Sequence, residues 1–188
     1  MRNSTATWVL ILVNVIVFAA LSVSPDLADL LLLNPSTLAE KPWSILTVFF
    51  SHELAIHLLL NVLLLYVFGT RLEKETNPGV TLGVYILCGL AGSVSAILYS
   101  AAIGYQGGPM AGASASAFGI AAAYAALRPD AVVLKSKAVH WVAALFAVNA
   151  LLTAQNPQIS VGGPAHAVGL ALGLLFGYAL RRKSAAKE

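Results

Sequence analysis

Ser114, His166, His57 and Asn61 are strongly hydrogen-bonding side chains set in apolar stretches of the chain, and together they form a set able to hydrolyse an acyl bond. A serine hydroxyl is too weak an acid to attack a carbonyl at neutral pH unless a neighbouring base takes its proton, and histidine is the side chain whose pKa suits that duty. Ser114 is then the candidate nucleophile and His166 the candidate general base. The tetrahedral intermediate needs donors aimed at its oxyanion; the Asn61 amide, the His57 imidazole and the Ser114 backbone N–H at a helix N-terminus are the candidates. His57 and Asn61 lie four residues apart, so a helix presents both on one face. No carboxylate lies in the apolar runs to orient His166, so a Ser114–His166 dyad held by packing is expected rather than a Ser-His-Asp triad.

Other hydrolytic designs fit the spacing less well. A zinc protease of the His-Glu-x-x-His type needs histidines at i and i+4, whereas His52-Glu53-Leu54-Ala55-Ile56-His57 sets them five apart, ~140° around a helix. An intramembrane aspartyl protease needs two aspartates within spans, and Asp26, Asp29 and Asp130 fall in loops. The single cysteine, Cys88, excludes an internal disulfide and a Cys-rich metal site. Each polar residue also has a structural reading: a serine in Gly-Ala-Ser-Ala as a small packing residue, and a histidine or asparagine in an apolar helix as an interhelical hydrogen-bonding group. It is their joint placement at one depth that favours chemistry.

The elements that must position these groups follow from composition. Of 188 residues, 59% are hydrophobic and 10% are charged, where a soluble domain carries about 25% charge. The chain lacks the polar surface to face water all round and reads as an all-α integral membrane protein. Apolar runs bounded by charge, Pro and Gly predict one domain over residues 1–188, a bundle of six helices at Trp8–Val23, Leu54–Gly69, Val80–Ile103, Ser114–Leu127, Ala138–Thr153 and Pro164–Leu180. The connection from Ser24 to Glu53 is the longest; that from Thr70 to Gly79 is expected to be a charged loop. Ten of the eleven basic residues, Arg2 and Lys187 among them, fall on one side of this bundle and only Lys41 on the other. The positive-inside rule then puts both termini in the cytoplasm. The basic balance records topology, and no nucleic-acid partner is expected. A cleavable signal peptide over the first apolar run is the weaker alternative.

The topology brings Ser114, His166, His57 and Asn61 to the outer ends of the second, fourth and sixth helices. Before Ser114, the stretch Ile103 to Ala113 has four glycines, a proline and no charge. It is expected to dip from the outer surface and deliver Ser114 to the base of a water-filled cavity, since irregular backbone at membrane depth must line a cavity or be covered by protein. On the sixth helix Ala165, Gly169, Gly173 and Gly177 recur every four residues, a small-residue stripe that permits close packing on the fourth helix.

Three blocks closely resemble the rhomboid family of intramembrane serine proteases. Trp43-Ser-Ile-Leu-Thr47-Val-Phe-Phe50-Ser-His52 followed by His57-Leu-Leu-Leu-Asn61 is similar to the family's W-R-x-x-T-x-x-F-x-H…H-x-x-x-N pattern; Gly112-Ala-Ser114-Ala-Ser-Ala-Phe118-Gly119 resembles its G-x-S-G segment; and Ala165-His166-Ala-Val-Gly169 resembles A-H-x-x-G in its last helix. The likeness covers most of the chain from Trp43 onward. It implies Ser114 as nucleophile, His166 as base, His57 and Asn61 at the oxyanion hole, Phe118 as the ring on which His166 packs, Glu73 as a structural carboxylate, and the long first loop as a membrane-embedded hairpin. Gly112 and Gly169 stand in the same motifs as supporting positions. Two positions depart from the pattern. Ala115 replaces the glycine after the nucleophile, and Ser44 replaces the arginine after Trp43, which leaves open how the first loop is anchored. Ser116 lies ~200° around the helix from Ser114 and is expected to face away.

The resemblance implies a metal-free, cofactor-free enzyme that cuts single-span membrane proteins near their outer end, with a lateral opening beside the fifth helix. Substrates weakened by Gly, Pro or polar residues are expected to be preferred. The alternative from another class is a catalytically silent relative that binds and escorts transmembrane helices; such relatives typically lack the serine or the histidine. A small transporter would show repeat halves with charged or unwound helices at mid-membrane, and the sequence has none. The short N-terminus without a presequence points to a prokaryotic plasma membrane.

Overall fold

A computed structural model describes residues 4–24, 26–158 and 160–186 of the chain. Arg2 and Lys187, counted above on the basic side, lie outside the described residues. The first span, α1, covers Thr5–Val23. The connection after it carries two short helices, α2 (Asp26–Leu31) and α3 (Ser44–Thr47), with 3₁₀ turns at Pro35–Thr37 and Val48–Phe50. The second span runs from Ala55 to Glu75 as α4 (Ala55–Leu64), a π turn over Leu65–Gly69, and α5 (Thr70–Glu75). It is followed by α6 (Pro78–Ala102), α7 (Ser114–Leu127), α8 (Ala138–Gln155) and α9 (Gly163–Ala185).

The loop expected at Thr70–Gly79 is therefore corrected: the second helix continues to Glu75, and the turn before α6 is held to a few residues. Charge there does not mark a boundary, because Glu73 is buried and caps another helix. Its carboxylate oxygens accept from the backbone N–H of Ala6 (2.9 Å) and of Thr7 (2.8 Å), and from the Thr7 hydroxyl (2.7 Å). Those donors lie in the first turn of α1, where N–H groups have no partner within the helix and a negative charge is favoured. The turn into α6 is closed by the Asn77 side chain, which accepts from Val80 N–H at 3.0 Å, with Pro78 at the first helical position. The last helix also extends beyond its expected end at Leu180, through Arg181–Lys183. Between α7 and α8 a small hairpin pairs β1 (Val132–Val133) with β2 (Ser136–Lys137). Its two turn residues, Leu134 and Lys135, both have positive φ, as a two-residue turn of the primed type requires.

The first loop is anchored without an arginine. Trp43 Nε1 donates to the Leu30 carbonyl at 2.9 Å, the Thr47 hydroxyl donates to the Leu31 carbonyl at 2.6 Å, and Lys41 pairs with Asp29. Leu33 and Met110 exchange backbone hydrogen bonds (3.0 and 2.8 Å), which ties this loop to the glycine-rich segment before Ser114. Ser44 itself is buried within the fold.

Among the described residues five helices are long and apolar enough to cross a membrane: α1, the continuous helix Ala55–Glu75, α6, α8 and α9. The sixth, α7, has 14 residues and is the centre of the bundle, buried along nearly its whole length against α9, α6, α8 and the second span. A helix enclosed by protein need not match the bilayer thickness, which is why its shortness is tolerated. The tight seam is between α7 and α9. A Cβ on Gly169, Gly173 or Gly177 would fall on the backbone carbonyl oxygen of Ala115, Gly119 or Ala123 respectively, so these two helices touch backbone to backbone over two turns. The result is an all-α membrane bundle whose rigid core carries Ser114 at one end of α7.

Candidate active site

Ser114 is the first residue of α7, and its backbone N–H has no partner within the helix. His166 lies in the first turn of α9, and the α7–α9 seam sets the distance between them. Ser114 Oγ stands 2.6 Å from His166 Nε2. Phe118, one turn beyond Ser114, packs against the His166 ring with centroids 4.8 Å apart.

Sequence reasoning missed Asn149. This residue, buried on α8, places Oδ1 2.8 Å from His166 Nδ1 and donates from Nδ2 to the Gly163 carbonyl at 3.0 Å. His166 is thus held by a ring on one side and an amide on the other. The signal was present: an asparagine inside an otherwise apolar span is as costly in lipid as Asn61 and merits the same attention.

His57, near the start of α4, lines the same cavity as Ser114 and His166. The cavity has a volume of about 280 Å³, and Gly112 forms part of its wall. Gly112 adopts φ +143°, and a Cβ there would lie 2.5 Å from His57 Cε1 and 3.5 Å from Ser114 Oγ. Only glycine allows the backbone to pass between the two side chains. Its N–H donates to the Val48 carbonyl at 3.1 Å, which fixes the approach to Ser114 from the first loop.

Asn61 is one turn below His57 and buried. Its amide nitrogen donates to His52 Nε2 at 3.0 Å and to the His57 backbone carbonyl at 3.1 Å, so both amide hydrogens are engaged away from Ser114. His52 Nε2 also accepts from the Ala113 N–H at 3.4 Å, linking Asn61 to the residue before the serine. Two donors on one ring nitrogen require that nitrogen to be unprotonated. Burial, and then the neighbouring His57, push the His52 imidazole down to about 4, in keeping with a neutral ring.

Ala115 lines the same cavity as Ser114 and His166. It lies against α6, where a Cβ on Gly92 would be 2.5 Å from Ala115 Cβ. Gly92 therefore vacates the space that Ala115 fills. Ser116 also faces α6, its hydroxyl donating to the Tyr85 carbonyl at 2.7 Å. A second, more apolar cavity of about 410 Å³ reaches His166 from the side of α8, with Phe118, Trp141, Asn149 and Leu152 in its walls.

A serine in contact with an imidazole nitrogen, beside a cavity and at the N-terminus of a helix, has a geometry that can support general-base-assisted attack. A search of curated proteins finds no significant match to the chain. The family model for the Rhomboid domain matches residues 39–183, from the first loop through α9 and across all of the groups described above. This integral membrane protein belongs to the rhomboid family.

Proposed function

We propose that the chain is an active intramembrane serine protease, with Ser114 as nucleophile and His166 as general base. The observation that carries this reading is the 2.6 Å contact between Ser114 Oγ and His166 Nε2 at the cavity lined by His57 and Gly112. In the first step the Ser114 hydroxyl gives its proton to Nε2 as Oγ attacks the scissile carbonyl. The oxyanion of the tetrahedral intermediate is stabilised by the Ser114 backbone N–H and by the His57 imidazole. The protonated His166 then gives its proton to the leaving amine, and the acyl-serine is hydrolysed by a water that His166 deprotonates in turn. Asn61 supports the site from behind through His52 and the carbonyl of His57.

The substrate class is a single-span membrane protein cut near the outer end of its helix, where Gly, Pro or polar residues loosen the backbone so that the carbonyl can reach Ser114. The protein works in the plasma membrane with both termini cytoplasmic, and its site opens on the opposite side. No metal or cofactor has a part in these steps.

The test is cleavage of a model single-span substrate by purified protein, in detergent and in lipid, beside Ser114→Ala, His166→Ala and Ser116→Ala, with and without chelator. Loss of cleavage in the first two variants, retention in the third and indifference to chelator is the expected result. Failure of the unmutated chain on several substrates would instead favour a silent relative that binds transmembrane helices.

A further inference from the structure

Which nitrogen of His166 carries the proton decides whether the ring can act as a base toward Ser114, and the structure contains a group that settles it. An isolated neutral imidazole prefers its proton on Nε2, the form that has no lone pair to offer the serine. At His166 the opposite form is required, with the proton on Nδ1.

The orientation of Asn149 follows from its partners. The Gly163 carbonyl can only accept a hydrogen bond, so the Asn149 atom facing it at 3.0 Å must be the amide nitrogen. Oδ1 is then the atom that faces His166 Nδ1 at 2.8 Å. An amide oxygen can only accept, so Nδ1 must donate and Nε2 is left with its lone pair directed at Ser114 Oγ. One backbone carbonyl thus orients the amide, the amide selects the tautomer, and the tautomer makes the serine's partner a base. The linkage also spans two helices, because Asn149 is on α8 and both Gly163 and His166 are on α9.

We propose that Asn149 is a positioning residue that selects the Nδ1–H tautomer of His166 and so keeps Nε2 available to Ser114. This rests on the protease reading only for its consequence in catalysis; the tautomer itself is a property of the folded chain. Asparagine serves an analogous imidazole in Cys-His-Asn hydrolases. Phe118 is not able to replace it, since a ring face holds the plane of the imidazole without distinguishing its nitrogens.

The experiment uses the full chain in lipid nanodiscs with ¹⁵N-labelled histidine, His166 being assigned by the loss of its signals in His166→Gln. Imidazole ¹⁵N shifts report the tautomer directly. The expected result is Nδ1–H in the unmutated protein and a rise of the Nε2–H form in Asn149→Leu, which is nearly isosteric, and in Asn149→Ala. A proton on Nε2 of the unmutated protein overturns the proposal without any variant, and so do unchanged tautomer populations in folded variants. The paired readouts are the rate at which a fluorophosphonate labels Ser114 and the steady-state cleavage of a single-span substrate. Asn149→Leu is expected to lower the labelling rate and kcat about tenfold, the value of one neutral hydrogen bond, with KM within about twofold. An unmutated protein that is neither labelled nor active would remove the protease reading while the ¹⁵N shifts still decided the role of Asn149. A labelled and active protein whose kcat is untouched by Asn149→Leu would leave the protease reading standing and remove this one.

Discussion

Placing a methyl group on Gly92 should disable the protein by moving the nucleophile, and the same methyl should be harmless once Ala115 has lost its own. In Gly92→Ala the new Cβ would stand 2.5 Å from Ala115 Cβ and 3.6 Å from Ala165 Cβ. Carbon atoms in contact prefer about 3.5–4.0 Å, so α6 and α7 must separate by about 1 Å at this point. Overpacking of this kind costs about 1–3 kcal/mol. The displaced residue is the neighbour of Ser114, and a shift of about 1 Å in a reacting group can lower turnover about a hundredfold, so activity should fall further than stability does. Ala115→Gly alone should cost about 1 kcal/mol from helix propensity and the lost methyl contact. The double variant Gly92→Ala/Ala115→Gly moves the methyl from one helix to the other, and should return to within about 1 kcal/mol of the original stability with most of its cleavage rate. The assay is a double-mutant cycle on thermal unfolding in a fixed detergent, with kcat measured on the same preparations. A coupling of about 1–3 kcal/mol in favour of the double variant is expected. Additive effects would show that Gly92 and Ala115 do not share this space and that the methyl after the nucleophile is accommodated elsewhere.

Two further outcomes follow from buried polar groups. Glu73→Ala strips the acceptors from Ala6 N–H, Thr7 N–H and the Thr7 hydroxyl, and should lower stability by about 2–4 kcal/mol; Glu73→Gln, which keeps one oxygen, should lose less, and equal losses in thermal unfolding would refute the capping role. His52 has its pKa lowered from 6.5 to about 4 in the folded chain, so between these values the unfolded chain binds a proton that the folded chain does not. Stability should therefore decline as pH falls from about 6.5 toward 4. His52→Gln should flatten that part of the curve in thermal unfolding scans, and an unchanged slope would show that His52 is not the group responsible.

The catalytic candidates were legible because polarity is expensive in a membrane. Ser114, His57, Asn61 and His166 each interrupt an apolar run, and the topology expected from the spans carries them to one end of the bundle, where the structure brings Ser114 and His166 into contact. What periodicity does not report is which way a side-chain amide points. Asn61 was expected to aim at the oxyanion, but its amide donates to His52, a loop residue whose place depends on tertiary packing, and to the His57 backbone carbonyl. Asn149 carried the same signal as Asn61 and stood in the fifth span, yet a search for charged or nucleophilic partners of His166 passes over a neutral amide. Helix limits failed for a related reason. Charge at Arg71–Glu75 reads as a boundary only if Glu73 faces water, whereas it caps α1 from a buried position. The hairpin at Leu134 and Lys135 has positive φ without the Gly or Asn that would announce it. For Asn61, Asn149 and Glu73 local composition located the group, and a partner more than eight residues away decided its role. His166 is the clearest instance: its serine is 52 residues before it and its amide 17 residues before it, on two different helices. Its basicity toward Ser114 is therefore a property of how α7, α8 and α9 pack, and any change that shifts α8 relative to α9 at Gly163 should alter catalysis without touching either reacting residue.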